Sequence, residues 1–134
     1  MKEGILPDYR KKQQLLYTEK RTERELIAYG DNFRAAGRMA DALEFYQMAR
    51  HTVGLEDIRN AALGMGDVML FQQASRALNR LPAPEEWRAV GAEAKEKKKY
   101  FFALQAFEKA GDDKLLEETR TIIQREMEGR KISA

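Results

Sequence analysis

Leu26 to Ala49 reads LIAYGDNFRAAGRMADALEFYQMA, and the spacing of its apolar and small residues predicts two short amphipathic helices folded back on each other. Tyr29, Gly30 and Phe33 fall about one helical turn apart in the first half. Ala42, Tyr46 and Ala49 recur at steps of four and three in the second half, with Gly37 as the turn between them. A hairpin of this kind has one apolar face that it cannot cover alone, so a second copy is expected. It comes later in the chain as Trp87, Val90, Gly91, Ala94, Ala103, Phe107 and Ala110.

The chain of 134 residues is long enough to bury roughly two thirds of its unfolded surface, which predicts a single domain over 1–134. With no cysteine it has neither disulfides nor thiolate metal sites, a composition that fits a reducing, cytoplasmic setting. The opening stretch MKEGILPDYRKKQQ lacks the apolar run of a signal peptide, and no later segment approaches the roughly 18 apolar residues of a membrane span. No membrane partner is expected. A content of 43% hydrophobic and 34% charged residues, with 3 prolines and 9 glycines, is that of a helix-rich chain with solvated outer faces. The net charge of +2 supplies no global field toward nucleic acid or anionic lipid.

Along the chain, Pro7 and Asp8 mark a helix start, and Thr22-Glu-Arg-Glu25 has the form of a capping box. These signals divide a leading helix near 8–20 from a repeat helix near 22–36, one unbroken helix being the alternative. The return helix is expected from about Met39 to Thr52, stopped by Gly54, so that the first pair spans about 22–54. A middle pair spans about 55–81. Its turn is placed at Gly64-Met65-Gly66-Asp67, because two glycines inside a helix would cost about 2 kcal/mol against alanine. Pro82-Ala83-Pro84 is a firm break, and a third pair follows over about 84–111. A last helix over about 112–128 carries Leu115, Leu116, Thr119, Ile122, Ile123 and Met127 on one face, which suits a cap over the open end of a stack.

The two outer pairs resemble tetratricopeptide repeats, whose pattern is W-x-x-L-G-x-x-Y-x-x-x-G-x-x-x-x-A-x-x-x-Y-x-x-A. Leu26, Tyr29, Gly30, Phe33, Gly37, Ala42, Tyr46 and Ala49 follow it in the first pair. In the other, Trp87, Val90, Gly91, Ala94, Ala103, Phe107 and Ala110 keep register, and Lys98 replaces the turn glycine. Gly30 and Gly91 lie 61 residues apart, where two steps of about 34 would give about 68, so the middle pair is expected to have lost about a turn from each helix. The resemblance covers about 95 of the 134 residues and implies an all-α, right-handed α-α superhelix of about three hairpins with leading and capping helices.

It also implies a groove along the first helix of each pair that takes a peptide or protein partner. Arg24, Ile27, Ala28, Asp31, Arg34 and Ala35 would line it on the first pair, and Glu85, Arg88, Ala89, Ala92 and Lys95 on the third. Asp31 and Ala92 stand where the family's carboxylate-gripping asparagine would be, which favours a mixed-charge partner over capture of a chain terminus. Ordinary solvated side chains are the plain alternative for all of these.

Catalysis has little support: His51 is the only histidine, and Ser75 and Ser133 are the only serines. His51 is expected near the C-terminal end of the return helix, with no second histidine or cysteine to complete a metal site. No metal or cofactor is expected. Beside the basic excess over Met1–Arg24, Lys95, Lys97, Lys98 and Lys99 with Tyr100, Phe101 and Phe102 form the most prominent local cluster pointing to nucleic acid, and in both a solvated helix face or helix end is the plainer reading. A helix C-terminus that favours cations accounts for the lysines, with Phe102 expected in the core. The leading function is therefore a non-catalytic adaptor, monomeric or weakly dimeric. An RNA-binding helical module and a structural oligomerisation domain are the alternatives.

Overall fold

The computed structural model describes Leu6, residues 8–18 and residues 21–133, and among these it is all-helical, with no strand. Helix α1 (Tyr9–Gln13) continues as one π-helical turn over Gln14–Thr18. It is followed by α2 (Glu23–Ala35), α3 (Met39–Met48), α4 (Thr52–Met65), α5 (Val68–Ala77), α6 (Pro84–Glu96), α7 (Tyr100–Ala110) and α8 (Asp113–Ser133). Helices α2 and α3, α4 and α5, and α6 and α7 pack as hairpins, neighbouring hairpins touch, and α8 lies on α7.

The three hairpins share one internal register, with steps of 29 and then 32 residues between them. Leu26, Leu55 and Trp87 correspond in this register, as do Phe33, Ala62 and Ala94, and all six are buried. Every helix from α2 to α7 ends in a left-handed residue: Gly37, Arg50, Gly66, Asn79, Lys98 and Gly111, with φ between 54° and 79°. The next residue always donates back five positions, as in Arg38 N to Phe33 O at 2.9 Å and Lys99 N to Ala94 O at 2.8 Å. These are the paired bonds of a Schellman ending, which satisfy carbonyls that the helix leaves free.

The middle pair is therefore not shorter than its neighbours, and the 29- and 32-residue steps differ in the connection between hairpins, residues 49–51 against residues 78–83. Helix α4 has 14 residues against 13 in α2 and α6, and α5 has 10, as does α3. The return helix α3 ends at Met48, earlier than expected, and Gly54 is no cap because it lies inside α4. His51 lies at the C-terminal end of α3, as expected, its N–H donating to Tyr46 O at 2.8 Å, and it is at the same time the residue before α4. Gly64 is also helical, against the sequence expectation, and an added Cβ there would meet nothing, so its cost is only the intrinsic propensity of about 1 kcal/mol. Helix α5 stops at Ala77 and leaves Leu81 exposed, while α8 passes through Gly129 to Ser133.

Packing explains the two helical glycines of the first register. A Cβ on Gly30 would stand 2.5 Å from Tyr46 Cε1, and one on Gly54 would stand 2.8 Å from Tyr46 Cδ2. The Tyr46 ring is thus clamped between α2 and α4. Gly91 admits Phe107 in the same way, at 2.7 Å from Cε1. Around these contacts Phe45 stacks on Phe33 at 5.4 Å and on Tyr29 at 5.6 Å, and Trp87 meets the Phe71 ring edge-on at 5.2 Å.

The leading helix is separate from α2, since Arg21 and Thr22 are not helical and Thr22 Oγ1 accepts from Glu25 N at 3.2 Å. Asp8 caps α1 by accepting from Lys11 N at 2.8 Å. Pro7 and the end of the expected leading helix at 19–20 lie outside the described residues. Leu15 and Leu16 are buried, and Lys12 Nζ reaches Asp41 at 2.5 Å and Glu44 at 3.2 Å on α3. Burial pulls the Lys12 pKa down, but the two carboxylates outweigh it and leave it raised.

Tyr46 is wholly buried and Trp87 nearly so. Each truncated to alanine should lower stability by about 3 kcal/mol, read from urea unfolding at constant m. Losses under about 1 kcal/mol for both would contradict this packing.

Candidate functional site

The residues expected in the groove lie on α2 and α6, with α4 between them. Helix α4 supplies the missing middle of the stripe at the same register: Val53, Glu56, Asp57 and Asn60 correspond to Arg24, Ile27, Ala28 and Asp31, and to Glu85, Arg88, Ala89 and Ala92. Most of this stripe is exposed, Ile27, Asp57 and Lys95 being half-buried.

Three of the expected residues are engaged within the fold. Asp31 accepts a hydrogen bond from the Tyr46 hydroxyl at 2.5 Å. Burial and this carboxylate together push the Tyr46 pKa up to about 12, so the phenol stays protonated and donates throughout the neutral range. Arg34 Nη1 meets Asp57 at 3.2 Å and joins α2 to α4. Arg88 Nε meets Asp112 at 3.1 Å and joins α6 to the start of α8. Both pairs are half-exposed and screened, and each contributes 0–1 kcal/mol by ordinary measure. Arg24, Glu85 and Ala92 are exposed, and Ile27 and Lys95 half-buried.

The position of α6 on this face depends on a residue that the sequence reading passed over. Arg59 on α4 is only 2% exposed. Its Nε donates to Ser75 Oγ at 2.9 Å, its Nη1 meets Glu86 at 2.7 Å, and its guanidinium lies over the Phe71 ring at 4.7 Å. One side chain therefore ties α4, α5 and α6. Glu86 also accepts from Ala83 N at 3.0 Å and so closes the first turn of α6 after the Pro82-Ala83-Pro84 corner. The hydrogen bond from Arg59, opposed by partial burial, holds the Glu86 carboxyl down at about 2. The signal was the register: Arg59 stands 29 residues after Gly30 and 32 before Gly91, where a glycine pattern cannot find it.

The lysine cluster is likewise structural in its local contacts. Lys98 supplies the left-handed turn residue, and Lys97 Nζ contacts Glu93 and the Gly64 carbonyl, each at 3.3 Å. Phe102 is 43% exposed, not buried, because the inward stripe of α7 runs through Ala103, Ala106, Phe107 and Ala110. His51 packs its ring on Tyr46 at 5.2 Å. Among the described residues no three His, Cys, Asp or Glu side chains gather as metal ligands, and no helix is long and apolar enough to cross a membrane.

No protein-family model, curated protein or solved structure matches this chain.

Glu86 has a folded pKa below its ordinary value, so its contribution to stability is complete above about pH 4.5 and is lost as pH falls toward about 2. Glu86→Gln should cost on the order of 2 kcal/mol at pH 7, and its melting temperature should then fall less steeply between pH 5 and 2.5 than that of the parent. Parallel profiles for the two proteins would remove Glu86 from the tie.

Proposed function

We propose that this chain is a non-catalytic adaptor of the tetratricopeptide-like type, a right-handed stack of three hairpins that binds a mixed-charge peptide or protein segment along α2, α4 and α6. The observation that carries this reading is the shared register of the three hairpins. It sets equivalent side chains of three successive first helices in one series, Arg24, Val53 and Glu85 followed by Asp31, Asn60 and Ala92. Small and short residues at Ala28, Ala89 and Ala92 allow a backbone to approach, while Arg24, Glu56, Glu85 and Lys95 offer both signs of charge. Shape supplies the binding area, and the alternating charges select the partner and its direction. The leading helix and α8 close the two ends of the stack.

Arg24→Glu combined with Lys95→Glu tests this face without breaking the inter-helix pairs at Arg34 and Arg88. The double variant should keep its circular dichroism and melt within a few degrees of the parent, since Arg24 is exposed and Lys95 only half-buried, and substitutions away from the core change stability little. Affinity capture from native lysate should lose the specific partner. Capture undiminished relative to the parent places the binding surface elsewhere.

A further inference from the structure

None of the described methionines, Met39, Met48, Met65, Met69 and Met127, is buried in the core. Three of them, Met39, Met65 and Met69, line one crevice of about 520 Å³ between the α2–α3 and α4–α5 turns. They come from three different helices: Met39 opens α3, Met65 closes α4 and Met69 stands in the first turn of α5. Met69 is 60% exposed and Met65 39%, so neither side chain is used to fill space inside the fold.

The backbone that carries these side chains is fixed. Gly66, between Met65 and Met69, takes the left-handed conformation with φ 67°, and a Cβ there would stand 2.5 Å from Ala94 N, so the α4–α5 turn is wedged against α6. Asp67 Oδ1 accepts from Leu70 N at 3.0 Å and holds the first turn of α5. On the other wall, Arg38 N donates to Phe33 O at 2.9 Å just before Met39. The charges of the lining are already committed: the Arg38 guanidinium meets Asp41 at 2.7 Å, Asp41 is shared with Lys12, and Asp67 caps α5. The crevice therefore presents soft sulfur beside a paired cation, and among the described residues no three His, Cys, Asp or Glu gather to offer a harder ligand set.

We infer that Met39, Met65 and Met69 form a thioether site for a soft monovalent metal ion, and that the ion is Cu(I). Thioether sulfur is a soft, neutral ligand that selects Cu(I) over the harder divalent ions. Methionine is unbranched and turns about three side-chain bonds, so sulfurs carried around one crevice on a fixed backbone can be gathered on one ion. The chain has no cysteine, and therefore no thiolate of its own that would take the ion instead. A neutral thioether has no proton to lose on binding, so occupancy does not vary with pH across the neutral range. The site uses none of the residues of the proposed adaptor face and stands or falls separately.

The test is a titration of the full chain, labelled with ¹³C at the methionine methyl groups, with silver(I) nitrate in chloride-free buffer and with Cu(I) in anaerobic buffer containing acetonitrile. The methyl signals of Met39, Met65 and Met69 are expected to shift together and saturate at about one equivalent of either ion, while those of Met48 and Met127 stay in place. Affinity should be equal at about pH 6 and about pH 8. Met65→Leu combined with Met69→Leu conserves volume at two exposed positions, so the variant should melt as the parent does and lose affinity at least tenfold. The inference is overturned by no shift, by a shift of every methionine signal without saturation, by a response to silver but not to Cu(I), or by affinity retained in the double variant.

Discussion

The structure depends on one steric exchange repeated in each hairpin: a small residue on one helix faces a large one sixteen positions away on the other. Gly30 receives Tyr46 and Gly91 receives Phe107, while in the middle hairpin the sizes reverse and Ser75 receives Arg59. Interiors are packed at nearly crystalline density, so a helix pair can close only where the two volumes sum correctly. Reversing them preserves the sum. It also changes the chemistry, because an arginine in that space brings a charge that must be satisfied.

That requirement explains the polar ties between hairpins. Arg59 finds Ser75, Glu86 and the face of Phe71, and so commits the corner at Pro82 to one geometry. A buried charge left without its partner is far more costly than the pair is stabilising, which makes the tie a device of position more than of net stability. Tyr46 acts similarly between α2 and α4, its ring held by Gly30 and Gly54 and its hydroxyl by Asp31. The first helices are thereby fixed from behind, and their opposite faces are left largely to solvent.

The same repetition accounts for the C-terminal end. Helix α8 buries Thr119 and half-buries Leu115, Leu116 and Ile122 on α7, as a cap should. Its distal half leaves Met127 and the neighbouring Phe101 exposed.

Helical class, the outer hairpins, the Thr22 and Asp8 caps and the break at Pro82 were legible in the amino-acid sequence, because each rests on local chemistry: periodicity, capping hydroxyls and carboxylates, and the fixed φ of proline. The series Arg24, Asp31, Glu85, Arg88 and Ala92 was offered only by the resemblance to tetratricopeptide repeats, and the structure places it on α2 and α6. What only the tertiary structure decided was the middle of the chain. Gly54 and Gly64 look like helix ends when read locally, yet both are helical, one because Tyr46 needs the space and the other because nothing opposes it. Arg59 carries no signal of its own in the sequence, and Asp31 and Arg34 read as groove charges. Their roles come from neighbours 15 to 27 residues away, Tyr46, Asp57, Ser75 and Glu86. Periodicity reports which face of a helix is buried, but not whose volume must fit against it, and that sum is fixed only when the helices meet.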